Sequence, residues 1–177
     1  MLGVDASRDG WVAVAPDQDR PRVYTGATLT AVIAAAGRDG AVEIVGVDIP
    51  IGLPDQGPRQ AFGLRVKVLE VDGFRRAGGR AVLEVHPELS FAAMAGAPLA
   101  SSKKTWAGAA ARYRLLTEHG IALPTDLGPD PGRAGVDDVL DAAAAAWTAR
   151  RVQSGDAFSL PDPPEPLPDG VSCAIWV

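Results

Sequence analysis

The sequence predicts a single α/β domain, residues 1–177, built on a mixed β-sheet. Three observations predict it. Short β-branched apolar runs alternate with stretches of helical spacing. The first three runs are joined by short polar turns, as in antiparallel hairpins. The later runs are separated by helices, as in parallel crossovers.

The elements follow in order. Leu2 to Asp5 is a short apolar run ending on an acid, and Ser7-Arg8-Asp9-Gly10 turns the chain into a second run, Trp11 to Ala15. Pro16 to Asp19 is a turn cluster, and Arg22 to Thr25 is a third strand. Leu29 to Ala36 has helical spacing and stops at Gly37. Val42 to Pro50 is almost continuously apolar and β-branched, as expected for a strand covered on both faces. Phe62 to Phe74 reads as a helix, and Ala81 to His86 as a strand stopped by Pro87. Two helices follow, from about Lys104 to His119 and from Asp137 to Gln153, closed by Gly120 and Gly155. The Pro-rich stretch Pro161 to Pro168 reads as an extended linker, and Ala174 to Val177 as a last short strand.

Composition narrows the class. The chain is 47% hydrophobic and 22% charged, close to globular averages, which excludes a disordered chain or a coiled coil. No apolar run is long enough to span a bilayer. Its start, Met1-Leu2-Gly3-Val4-Asp5, carries no secretory pattern, and one cysteine cannot make an internal disulfide, so a cytoplasmic location is expected. The net charge of −5 argues against general adhesion to nucleic acid but leaves room for a local basic strip.

The acids carry the chemistry. Asp5 and Asp48 each end an apolar strand after Gly-Val, and Glu84 lies inside a third strand. A carboxylate in such a strand is costly to bury unless it is paired or binds a metal. Ligands of open α/β sheets collect at the carboxyl ends of strands, so Asp5 and Asp48 share one site if their strands are neighbours. A lone Asp there otherwise caps a turn. In the last helix, Asp138 and Asp141 are three apart and lie on one face. The helix dipole accounts for Asp137 and for Asp138 in the first turn, but poorly for Asp141. The following Ala142 to Ala146 present a smooth surface that lets the helix approach a sheet. Converging carboxylates call for hard divalent cations such as Mg²⁺ or Mn²⁺. Two such ions about 4 Å apart can clamp the attacking and leaving oxygens of a phosphoryl displacement. One cysteine and two distant histidines make no zinc pattern, and no Walker or dinucleotide motif occurs.

Gly3-Val4-Asp5 with Gly10-Trp11-Val12, then Val47-Asp48-Ile49-Pro50-Ile51-Gly52-Leu53-Pro54, resembles the family called domain of unknown function 429. So do Glu84-Val85-His86-Pro87-Glu88-Leu89-Ser90-Phe91, Ser102-Lys103-Lys104-Thr105, Asp137 to Ala142, Ala146-Trp147-Thr148-Ala149 and Ile175-Trp176-Val177. The resemblance implies a ribonuclease H-like fold, with three antiparallel strands followed by parallel ones, and a nuclease. It implies acids on the first strand, the fourth strand and the last helix: Asp5, Asp48, and Asp138 or Asp141. Glu84 and Glu88 belong to the family's own motif. One departure stands out: Gln60 runs directly into Ala61, where the family pattern carries a further segment.

The expected function is metal-dependent hydrolysis of phosphodiester bonds in a nucleic-acid substrate. Asp5, Asp48, Glu84 and Asp141 are the expected Mg²⁺ or Mn²⁺ ligands, with Asp138 as a stand-in and water as the nucleophile. Two rivals share the fold: an inert interaction module, and a nucleotide-binding relative of the actin-like ATPases, which ordinarily need two lobes. His86 is read as orienting Glu84, or as a base or phosphate contact. Glu88 is read as a metal ligand or as an acid at a helix start. Lys103 and Lys104 are read as a solvated pair or a phosphate grip. Arg8 follows Asp5 by three residues, within reach of a bound phosphate. Arg150 and Arg151 suit a helix C-terminus, and Trp11 and Trp147 are expected in the core.

Overall fold

A computed structural model of the chain describes residues 1–17, 20–51, 59–78, 80–166 and 172–177, with side chains of the 59–63 stretch outside the description. Gln18 and Asp19 of the expected first turn cluster, the Gly52-Leu53-Pro54 motif and the end of the Pro-rich stretch lie outside these residues.

A tight antiparallel hairpin, Leu2 to Ala15, starts the fold, because Gly10 at φ 145° lets the chain reverse directly into the second strand. Strands β1 (Leu2–Ser7), β2 (Gly10–Ala15) and β3 (Arg22–Gly26) pair antiparallel. Helix α1 (Leu29–Gly37) starts where the Thr28 side chain accepts from Ala31 N. It leads to β4 (Ile44–Val47), parallel to β1. Helix α2 (Arg59–Arg76) and β5 (Ala81–Val85) follow, β5 parallel to β4. Helices α3 (Pro87–Ala95), α4 (Trp106–Glu118) and α5 (Val136–Ser154) come next, then β6 (Ser159–Pro166) and β7 (Ser172–Trp176). The sheet order is β3-β2-β1-β4-β5-β7-β6, with β7 parallel to β5 and antiparallel to β6. Antiparallel strands first, then parallel ones reached through crossover helices, is the mixed α/β order the sequence predicts.

Strand alternation divides the core into two layers. Leu2, Val4, Trp11, Ala13, Val45 and Val47 face one side and pack with Leu29, Val32 and Ile33 of α1 and Val71 of α2. Val12 and Val14 face the other side and pack with Phe91, Leu115, Leu116, Leu140 and Trp147 of α3, α4 and α5. Trp11 and Trp147 are both core residues, as expected.

Three elements differ from expectation. Pro87 does not merely stop β5; it starts α3, since a proline fits the first helical position, where no N–H donor is needed. The Pro-rich stretch is not a free linker: Ser159 to Pro166 forms an edge strand on β7, with a register irregularity between Leu160 and Glu165. An edge tolerates proline because one side of the strand has no partner to lose. Strand β4 is shorter than the apolar run, ending at Val47, although Asp48 N still donates to Val4 O at 3.0 Å.

Candidate metal centre

The site begins with two glycines. Gly3 pairs with Gly46 across β1 and β4, and Val4 with Val47. Two residues on from each glycine, on the same face, stand Asp5 and Asp48. Parallel pairing in this register sets the two acids side by side at the carboxyl ends of adjacent strands. The glycines determine what covers them. A Cβ on Gly3 would lie 2.0 Å from Ala146 N and 2.1 Å from Ala142 O, and one on Gly46 would lie 2.7 Å from Ala145 O. Helix α5 therefore rests its alanine stripe directly on the strand backbones, and Asp141, just before that stripe, reaches the strand acids.

One oxygen each of Asp5, Asp48 and Asp141 lies within 4.8 Å of the others. Oxygens bound to a common hard cation at 2.0–2.6 Å are separated by up to about 5 Å, so the spacing suits one ion. Asp5 Oδ1 accepts from Ala6 N at 2.6 Å. Lys103 Nζ donates to Asp141 Oδ2. The other oxygen, Asp141 Oδ1, is buried and has no hydrogen-bond partner among the described residues. A buried carboxylate oxygen without a donor is costly, and a cation ligated there would remove the cost.

Electrostatics agree. Burial, then the charges of Asp48, Asp141 and Asp138, push the Asp5 carboxyl up to about 9. Burial and Asp141 push Asp48 up to about 6, against the opposing charges of His86 and Lys103. Burial raises Asp141 too, against its hydrogen bond to Lys103. Burial works against the Lys103 ammonium, but Asp141, Asp5 and Asp48 outweigh it and hold it charged. Protons and one lysine thus keep three crowded acids together, and a divalent cation could take over both roles.

The other expected site residues divide. Glu84 pairs in register with Val47, in the row that faces α1 and α2 rather than the row of Gly46 and Asp48. Its Oε2 accepts from Ile51 N at 2.7 Å, and it stands outside the close triad. Burial raises its pKa, and the Ile51 N–H and the His86 charge oppose the shift. Asp138 lies one turn before Asp141, against Gly135, and adds its charge to Asp5 without joining the triad. His86 stands at the N-cap position of α3 without a side-chain capping bond and is exposed, near enough to Asp48 and Glu84 to favour their charged forms. Glu88 is both the first-turn acid of α3 and the partner of Arg112, which grips it through Nη2 at 2.8 and 2.7 Å. Lys103 is no solvated charge, while Lys104 is 71% exposed and pairs with Asp137. Arg8 stands exposed on the β1–β2 turn. Arg151, in the last turn of α5, donates to Asp156 O just past that helix, as the helix-end reading anticipates, whereas Arg150 reaches across to His119 O at the end of α4. Cys173 Sγ donates to Ile51 O at 3.2 Å, and burial raises its thiol, which suits structure rather than attack.

Sequence reasoning passed over Arg112, although the signal was there. Gly108, Arg112, Leu115 and Leu116 make one helical face, and an arginine on an otherwise buried face implies a partner. Arg112 is 2% exposed and also donates to Ser101 O and Gly108 O, tying α3 to the segment that carries Lys103. Trp106, 89% exposed at the first position of α4, was passed over as well.

The family described as "Protein of unknown function (DUF429)" matches residues 3–61 and 56–166, and the chain belongs to that family. Its two matched stretches meet at residues 56–61, the point where Gln60 runs into Ala61. No curated protein matches the chain in sequence. Among solved structures, RuvC of Thermus thermophilus is similar to this chain at 17% identity, covering 88% of this chain and 98% of that one, with a TM-score of 0.48. No helix among the described residues is long and apolar enough to cross a membrane.

Proposed function

We propose that this member of the DUF429 family is a metal-dependent phosphodiester hydrolase acting on nucleic acid, with Asp5, Asp48 and Asp141 holding Mg²⁺ or Mn²⁺. The observation that carries the reading is the buried triad, with oxygens within 4.8 Å of one another and Asp141 Oδ1 without a donor. When bound, a divalent cation there supplies charge that polarises a phosphodiester and acidifies water.

The chain's own residues do the rest. Asp5 and Asp48, fixed by strand register, set the ligand direction from the sheet. Asp141 closes the site from the helix side. Lys103 balances the Asp141 charge and stands beside any phosphate that approaches the triad. Glu84 acts one layer behind: by accepting from Ile51 N it fixes the chain just past Asp48. Asp138 adds negative charge that strengthens cation binding.

The test is a labelled panel of DNA and RNA with Mn²⁺, read against Asp5→Asn, with Mn²⁺ binding followed by calorimetry. Metal-dependent cleavage by the parent chain, lost in Asp5→Asn with its circular dichroism unchanged, is expected. Equal cleavage by the variant, or no Mn²⁺ binding at millimolar concentration by the parent, would overturn the reading.

A further inference from the structure

We propose that Trp106 is a stacking platform for an unpaired nucleobase, so that the substrate of the triad is single-stranded or locally unpaired nucleic acid. The inference rests on the phosphodiester hydrolase reading and adds the strand class.

Trp106 is 89% exposed, the most exposed of the large apolar side chains among the described residues. A single exposed apolar side chain is ordinary on a protein surface; what sets this one apart is how rigidly it is held. Its place is fixed rather than loose. Thr105 N and Thr105 Oγ1 both donate to Ser102 O, at 2.9 and 2.8 Å, and Gly108 N donates to Thr105 Oγ1 at 3.1 Å. Gly108 packs so closely that a Cβ would lie 1.9 Å from Ser102 O. The buried Arg112 holds Ser101 O from beneath at 3.0 Å. The turn that presents the indole is thus clamped to the body of the protein.

The same turn is anchored to the triad. Lys103 reaches Asp141 Oδ2, and three residues span at most about 11 Å between Cα atoms. With the lysine side chain added, Trp106 Cα lies within roughly 20 Å of Asp141 Oδ2, so a strand whose phosphate sits at the triad can bring a base a few nucleotides along to the indole. Lys103 and Lys104, two of the chain's three lysines, lie three and two residues before Trp106, each bound to an acid, Asp141 and Asp137. A flat aromatic face on which a base can stack is one means by which proteins hold single strands without reading sequence. A base within a duplex already stacks on its neighbours and offers no free face, so the platform selects unpaired bases.

The test compares the parent chain with Trp106→Ala and Trp106→Phe. Each is titrated by fluorescence anisotropy with a labelled oligothymidylate and with an abasic strand of the same length, in Ca²⁺ to limit turnover. Trp106→Ala is expected to weaken oligothymidylate binding roughly ten- to a hundredfold. Trp106→Phe should retain most of the affinity, and the abasic strand should bind parent and Ala variant alike. Equal oligothymidylate affinity in parent and Trp106→Ala overturns the platform and leaves the hydrolase reading standing. If the parent binds neither strand, the hydrolase reading falls and the platform falls with it. Unchanged strand affinity together with a shifted sedimentation coefficient in Trp106→Ala overturns the platform in favour of a protein–protein contact.

Discussion

Gly3 on β1 and Ala146 on α5 stand so close that a Cβ added to the glycine would sit 2.0 Å from the alanine's backbone nitrogen. Helix and strand touch through their main chains, and the acids on both are aligned by that contact. Because backbone cannot swing aside as a flexible side chain does, Gly3→Ala is expected to destabilise the fold by at least about 3 kcal/mol. Gly37, with nothing within 4 Å of its would-be Cβ, is the control. Gly37→Ala at the end of α1 should be neutral or stabilising by up to about 1 kcal/mol. Urea midpoints of the two variants measure the contrast, and similar midpoints would mean that α5 does not rest on β1 as described.

Lys103 and Asp141 form a pair in which the acid is buried, 1% exposed, and the lysine a third exposed. Removing the lysine leaves a buried carboxylate without its counter-charge. Lys103→Met should lose roughly 1–3 kcal/mol in denaturant, and adding Asp141→Asn should recover much of it. Mn²⁺ should stabilise Lys103→Met more than the parent, since the cation replaces the missing charge. An additive double-mutant cycle would show that the two side chains are not coupled.

Stability of the metal-free chain should fall as pH rises. Asp5 and Asp48 have folded values near 9 and 6 against an ordinary 3.8, so the folded state holds more protons than the unfolded one across that window. Their contribution is fully present below about pH 4 and is lost through pH 6 and then pH 9. Melting temperatures in EDTA between pH 5 and 9 should therefore decline, and Asp5→Asn should flatten the upper part of the decline. Mn²⁺ binds the deprotonated acids, so the rise in melting temperature that it causes should grow with pH. A stability that climbs with pH in EDTA would contradict the crowding of the triad.

Arg112 and Glu88 should respond unequally. The guanidinium is 3% exposed and bonds Glu88, Ser101 O and Gly108 O, whereas the Glu88 side chain is 40% exposed and can turn to water. Arg112→Ala should cost about 3 kcal/mol or more, and Arg112→Lys should rescue little, because an ammonium cannot reproduce the fork. Glu88→Gln should cost about 1 kcal/mol, since the neutral amide keeps part of the contact. Denaturant midpoints of the three variants give the order.

Much of the fold was legible because periodicity reports burial directly. The hairpin strands, α1, β5, α4 and α5 fall where alternation and helical spacing put them, and β4 falls inside its longer apolar run. Pro87 does stop β5, but the helix it starts was not read, and the prolines of β6 misled because proline removes a donor whose loss matters only if a partner, which the sequence does not contain, is there. Within the site, Asp5 and Asp48 announced themselves as acids closing apolar strands after Gly-Val. Asp141 stood out from Asp138 only by lying deeper in its helix, and Arg112 was readable from its buried face but was not read.

Local sequence determined which acids were anomalous, because the cost of burying a carboxylate in an apolar strand is a property of the strand itself. Which of them meet was decided by tertiary structure alone. Pairing Gly3 with Gly46 sets Asp5 beside Asp48, and pairing Val47 with Glu84 turns Glu84 to the opposite face. A parallel register is a relation between distant segments, and a slip of one residue would exchange the faces. The approach of α5 then selects Asp141, since that residue, one turn beyond Asp138, sits where the helix meets the strand glycines.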